Sequence, residues 1–373
     1  MPGPYIFEKQ ILDCVVGGVS ALDTPKLNID SETEARQFVF AYGYDLSHES
    51  DKEQLWAFHR RAIALIQDEI LEAGETIPEE LADPHLLGQI EKLLLIASRR
   101  EPQDRELQLW ACAILRVMHV YVHLRNDLFS AFSEEIQTQI LKPLQRLITE
   151  NLDGEVQFGI PGDINSINLY KFDVKPFKTT ASSVIKLLAR PEKVALTLLD
   201  KLGVRFVTRN VYDSFRVIRF LIESHIISYP HIIPDQSNNT LYPLNIFLEV
   251  MRELDAGHIK AGSAKEIEKI LNERLQHAAE RALYLQKNNE FSGPEYRFIK
   301  FINRKLITVP ISLENNFRSF RFFYPYEIQI VDYTTFLSNL EGVMAHDEYK
   351  KRQRQKARLR VLTGLVSKNK AQA

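Results

Sequence analysis

The chain has 373 residues, 45% hydrophobic and 26% charged, which is enough to bury one large core or two ordinary ones and excludes a disordered or collagen-like polymer. Lys plus Arg number 47 against 49 Asp plus Glu, a net charge of −2, so a uniformly basic nucleic-acid binder is excluded too. Two cysteines, Cys14 and Cys112, are too few for a disulfide framework or a Cys-based zinc site, and they fit a reducing, cytoplasmic setting. The start MPGPYIFEKQ has no basic region followed by an apolar stretch. No uncharged apolar run approaches the roughly 18–20 residues of a membrane span, so neither secretion nor membrane insertion is expected.

Residues 53–150 have apolar positions at three- and four-residue spacings and few internal breakers, which predicts helices. One is marked by Leu107, Trp110, Ala111, Ile114, Leu115, Met118 and Val122, and another by Ile136, Ile140, Leu141, Leu144 and Leu147. His119, His123 and Asp127 recur at intervals of four on the first of these, a spacing open to metal ligation but more often a plain helix face. Residues 1–150 are expected to form an α-helical N-terminal domain.

The stretch NLDGEVQFGIPGDINSINLY, with Gly154, Gly159, Pro161 and Gly162, reads as loops or a boundary near 150–168. Short β-branched or alternating segments follow, Val204 to Thr208 and Glu327 to Val331, and Asn210 to Ser224 reads as the helix after the first of them. Residues 236–295 interrupt this α/β unit. There Ser263 and Glu266 match a capping box, and apolar positions from Ile267 to Leu285 predict one long amphipathic helix.

Carboxylates at strand ends are hard oxygen ligands for Mg²⁺ beside a triphosphate, and Asp200 and Glu327 both occupy such positions. Lys178, Lys186, Arg205, Arg318 and Arg321 lie in the same unit and supply the donors that phosphate recognition needs. Phe317, between Asn316 and Arg318, offers a ring on which a base can stack, although a strand aromatic in a core has the same signature.

In order along the chain, these segments resemble the synthetase domain of the RelA/SpoT family. PFKTTASSVIK is similar to R-x-K-x-x-x-S-I-x-x-K, with Lys178, Ser182 and Lys186 on matching positions, and DKLGVR is similar to D-L-x-x-x-R, with Asp200 and Arg205. DSFRVIRFLIESH echoes the following helix, and RFIKFI resembles R-F-K-D-Y-I with Lys300 in place of the aspartate. NNFRSFR resembles N-G-Y-R-S-L-H, with Phe317 at the stacking tyrosine and Arg321 at the histidine. The ten-residue step from Phe317 to Glu327 is taken as a hairpin. EIQIVDYTTFLSNLEGVMAHDEYK resembles E-I-Q-I-R-T followed by G-V-A-A-H-x-x-Y-K, placing Glu327, Gln329 and His346.

The resemblance implies an α+β fold, an N-terminal helical domain followed by a nucleotidyltransferase-type mixed sheet with flanking helices over residues 151–349. The implied activity is Mg²⁺-dependent transfer of pyrophosphate from ATP to the 3′-hydroxyl of a guanosine or other purine nucleotide. In that scheme Asp200 and Glu327 are catalytic and metal-binding. Lys178, Ser182, Lys186, Arg205, Phe317, Arg318, Arg321, Gln329 and His346 bind nucleotide and phosphate. Pro176 and Val331 replace two arginines of the pattern and Ser183 replaces its isoleucine, which keeps open a non-catalytic nucleotide-sensing or scaffold module.

Residues 350–373 contain nine Lys and Arg and no acid, leaving −11 on the first 349. They are expected to form a basic C-terminal tail, either solvated or in contact with RNA, and in the latter case a tRNA 3′ end is a further candidate acceptor.

Overall fold

The computed structural model describes the chain except residues 1–8, 127–130, 152–153, 161, 164, 176–179, 192–198, 200, 286–295, 314–315, 342 and 367–373. The side chains of residues 10, 11, 180, 311–318 and 341–347 also lie outside what is described. The fold is α+β, and the chain divides into two compact units. The first comprises residues 1–130, 179–197 and 350–373, and the second comprises residues 131–178 and 198–349. The division therefore falls elsewhere than at residue 150.

The first unit is helical. Its central helix, Arg105–Arg125, buries Trp110, Ile114, Val117, Met118, Val120 and Tyr121 among other residues. The stretch Pro102–Arg125 is long and apolar enough to cross a membrane by length and composition, but 78% of its apolar window is buried inside the protein. Helices Glu49–Leu65, Lys92–Ala97 and Thr180–Leu188 pack on the central helix. The helix Glu32–Ala41 is capped at its start: Ser31 Oγ accepts the Glu34 N–H at 3.2 Å, and Glu34 Oε2 accepts the Asp30 N–H at 2.9 Å.

Residues 350–366 of the basic C-terminal stretch are not a free tail. From residue 350 onward it continues the helix Val343–Val361, and its arginines are drawn onto acids of the first unit. Arg358 donates to both carboxylate oxygens of Glu75 at 2.6 Å and to the Ile70 carbonyl at 2.9 Å. Arg360 bridges both oxygens of Asp23 at 2.5 and 3.0 Å, and Arg354 pairs with Glu69 at 2.6 Å. A run of like charge is extended when it is solvated, but here the opposing charge lies in acids that adjoin it only after folding.

The second unit is built on a seven-stranded sheet. Its strands are β1 (Ile148–Glu150), β2 (Val156–Phe158), β3 (Ile167–Lys175), β4 (Gly203–Thr208), β5 (Asn238–Asn239), β6 (Ile299–Leu313) and β7 (Asn316–Asp332), in spatial order β1-β2-β3-β4-β7-β6-β5. Among these pairings β4 and β7 alone run parallel. On one face Phe158, Phe206 and Phe220 meet with ring centroids 4.9–5.0 Å apart, seating the helix Val211–Glu223. That helix is capped by Asn210, whose side chain accepts the Asp213 N–H at 2.8 Å.

The segment 236–295 carries two helices rather than one long one, Leu244–Asp255 and Ala264–His277. Ser263 Oγ accepts from Glu266 N at 3.3 Å and Glu266 Oε2 from Gly262 N at 2.6 Å, so the start read from the sequence holds. The end does not, because the chain turns at Ala278 into a short 3₁₀ turn, Ala279–Arg281. The apolar faces of both helices close on Tyr242, Ile246, Phe247, Val250 and Leu271, with the Phe215 and Phe247 rings stacked at 3.8 Å.

Candidate functional site

Strand register decides which side chains meet. Across the sheet, Lys175 of β3 stands opposite Gly203 of β4, Gly203 opposite Glu327 of β7, and Glu327 opposite Ile302 of β6. Two residues along, Asp173, Arg205, Gln329 and Lys300 form a second row. Because strand side chains alternate with a period of two, both rows project from one face, while Val204, Phe206, Ile328 and Ile330 project from the other into the core. The result is a polar face at the centre of the sheet.

Glu327 is the centre of that face and is only 4% exposed. Lys175 Nζ donates to its Oε1, and Lys300 Nζ lies 3.6 Å from its Oε2. Gly203 makes the first contact possible. A Cβ there would stand 3.1–3.3 Å from the Glu327 backbone oxygen, the Glu327 Cβ and the Lys175 Cδ. Arg205 Nε donates to Gln329 Oε1 at 3.0 Å, fixing the second row. The Glu327 N–H donates to the Leu202 carbonyl at 2.9 Å, so the segment carrying Lys201 borders the same place. Burial pulls the Lys201 ammonium down to a pKa of about 8.

Of the residues expected at a site, Arg205, Glu327 and Gln329 come together here. Lys175 and Lys300 join them, and neither was assigned to the site from sequence. Lys300 stood out in the sequence only as a departure from the family pattern. Ser182 and Lys186 lie on the helix Thr180–Leu188 of the first unit. Asp200 and Lys178 lie outside the described residues, and so does the His346 side chain, whose backbone belongs to the helix Val343–Val361.

For Phe317, Arg318 and Arg321 the expected hairpin is corrected. No hairpin separates them from Glu327, because residues Asn316–Asp332 are one continuous strand paired along its length with β6. At about 3.3 Å per residue, Arg321 lies about 20 Å and Phe317 about 33 Å down the strand from Glu327. Only Glu327–Asp332 pairs with β4, so the earlier part of β7 runs as a two-stranded ribbon with β6. Gln139 anchors this ribbon through two hydrogen bonds to the Thr308 backbone, at 2.8 and 3.1 Å.

The described residues of this face form no metal cage by themselves, and Asp200, the other acid expected at one, lies outside them. The described carboxylate at its centre already has both oxygens engaged by ammonium groups, and no group of three His, Cys, Asp or Glu that would hold a metal occurs among the described residues. His119 is similarly engaged: its Nδ1 lies 2.6 Å from the Tyr42 hydroxyl and its ring 4.4 Å from that of His123. Asp127, the third member of that helix spacing, lies outside the described residues.

No protein-family model and no curated protein matches the chain. Among solved structures it is similar to small alarmone synthetase 2 from Bacillus subtilis, at 14% identity over 66% of this chain and 96% of that one, with a TM-score of 0.28. It is also similar to small alarmone synthetase 1 from Bacillus subtilis, at 12% identity over 55% and 80% with a TM-score of 0.25. A GTP pyrophosphokinase family protein from Streptococcus pneumoniae is similar at 14% identity over 70% and 88%, with a TM-score of 0.22.

Proposed function

We propose that the second unit is a RelA/SpoT-type nucleotide-binding domain that takes a purine nucleoside triphosphate on the polar face around Glu327. The observation that carries this reading is the pair of lysines, Lys175 and Lys300, held by a single buried carboxylate. Arg205 lies beside them, and Asp173 in the same row is paired with Lys171 at 2.9 Å, so four cations face two carboxylates, and this excess of positive charge suits a polyphosphate. Glu327 then acts as the counter-ion that holds both ammonium groups ready, and phosphate oxygens replace it as their partner on binding. Titration calorimetry with ATP and GTP tests the reading: micromolar to low-millimolar binding in the wild type, lost in a Lys175→Met/Lys300→Met double variant that still folds. Equal binding by that variant rejects it.

A second reading has its own support. Gly203 stands in register with Glu327, and in sequence Asp200 precedes Gly203 by three residues, which is the order of the two acids in the family pattern. That order favours Mg²⁺-dependent pyrophosphate transfer from ATP to the 3′-hydroxyl of a purine nucleotide or a tRNA 3′ end. Incubation with labelled ATP, Mg²⁺ and GDP, GTP, ADP or tRNA distinguishes the two. A pyrophosphorylated product that vanishes in Asp200→Ala supports transfer, whereas binding without Mg²⁺ and without product supports the binding module alone.

A further inference from the structure

The first unit contains a half-open cavity of about 220 Å³ between the central helix Arg105–Arg125 and the N-terminal segments. Protein interiors rarely leave space larger than a water molecule, and an engineered apolar cavity of about 150 Å³ already holds benzene. This one has room for a single ring and a small substituent. Its walls are mainly aliphatic, with Leu22, Leu55, Leu94, Leu115 and Val122 contributing. Phe38 and Tyr42, stacked with centroids 6.3 Å apart and partly exposed, form an aromatic lip.

Polar groups at the wall are mostly spent on one another. The Tyr42 hydroxyl is bonded to His119, and burial pulls that imidazole down to a pKa of about 4, so it is neutral near pH 7. Glu91 is neutralised by Arg36 at 3.2 Å. The Cys112 thiol lies against Gln108 and two backbone carbonyls. Positive charge is not spent in the same way. Arg116 gives its donors to the neutral carbonyls of Leu22, Thr24 and Val361 at 2.7–2.9 Å, while Asp23 nearby is taken by Arg360. Lys26 lines the cavity and has no acidic partner among the described residues. An apolar chamber with two cations and one neutralised acid selects an amphipathic anion.

We propose that this cavity binds a small carboxylic acid, a monocyclic aromatic or short branched aliphatic body in the apolar chamber with its carboxylate on Lys26. The site is separate from the nucleotide reading of the second unit and stands or falls without it.

Ligand-observed NMR on the full chain tests it, with benzoate as probe and benzyl alcohol as its neutral counterpart. Benzoate is expected to bind about tenfold more tightly, the size of one charge-assisted contact. Lys26→Gln should bring the two probes to equal affinity, and Leu115→Trp, which fills the chamber, should abolish both while circular dichroism reports a folded chain. Should Leu115→Trp fail to fold, the Lys26→Gln ratio decides the question alone. No binding of either probe, equal binding in the wild type, or binding unchanged by these variants overturns the proposal.

Discussion

Lys175 and Glu327, 152 residues apart in sequence, form an ion pair across three strands, over a glycine whose Cβ would crowd both. Glu327 is nearly fully buried and Lys175 is about one quarter exposed, so the pair is only partly screened. Lys175→Met is expected to cost about 1–3 kcal/mol, because it takes from a buried carboxylate one of the ammonium groups that compensate its charge. Adding Glu327→Leu should recover most of that loss, since removing both charges also removes the desolvation cost. Urea titration of the single and double variants measures this.

Nucleotide binding should weaken with alkaline pH. The Lys201 ammonium, lowered by burial to about 8, is charged at pH 7 and largely neutral by pH 9, and an anionic ligand favours its charged form. Binding should therefore take up protons near pH 8, and ATP affinity should fall severalfold from pH 7 to 9. Lys201→Gln should flatten that part of the profile in calorimetry.

The ribbon residues should be silent at the site. Because Arg321 and Phe317 lie about 20 and 33 Å from Glu327 along one strand, Arg321→Ala and Phe317→Ala should leave ATP affinity within about twofold of wild type. Glu327→Ala, by contrast, should change it clearly. A tenfold loss in Phe317→Ala would restore the base-stacking role implied by the family pattern.

Arg358 should be structural. Its side chain is 10% exposed and spends three hydrogen bonds on Glu75 and Ile70. Arg358→Met is expected to destabilise the protein by about 2–4 kcal/mol, seen as a lower denaturant midpoint. Deleting residues 350–373 should go further and expose apolar surface to a dye such as ANS, whereas removal of a solvated tail would change neither measurement.

Acid should weaken the fold through His119. Its folded value of about 4 lies below the ordinary 6.5, chiefly through burial, so the unfolded chain binds a proton more readily between those values. Stability contributed by the neutral ring is complete above about pH 6.5 and is lost as pH falls towards 4. His119→Phe should reduce the slope of melting temperature against pH over that window.

Local features were legible in the sequence because local forces set them. The Ser263 cap, the helix after Asn210, the helix around Trp110 and the strand Val204–Thr208 follow from side-chain spacing and from hydrogen bonds within four residues. Glu327, Arg205 and Gln329 were named from sequence, and strand alternation brings the three to one face of the sheet. The length of β7 was not. Pro325 reads as a strand breaker, yet it sits where β7 has β6 as its one neighbour, and there a missing N–H can face the open edge.

What only the tertiary structure decided is which charges meet. Lys175 and Lys300 carry no local signal, and they reach Glu327 because β3, β4, β6 and β7 fall into one register. The basic C-terminal run reads in sequence as solvated charge, yet Glu75, Glu69 and Asp23 fold against it and turn it into part of a helical core. Sequence fixes periodicity and capping over a few residues. Burial and pairing of charge depend on partners hundreds of residues away, whose approach is known only once the chain has packed.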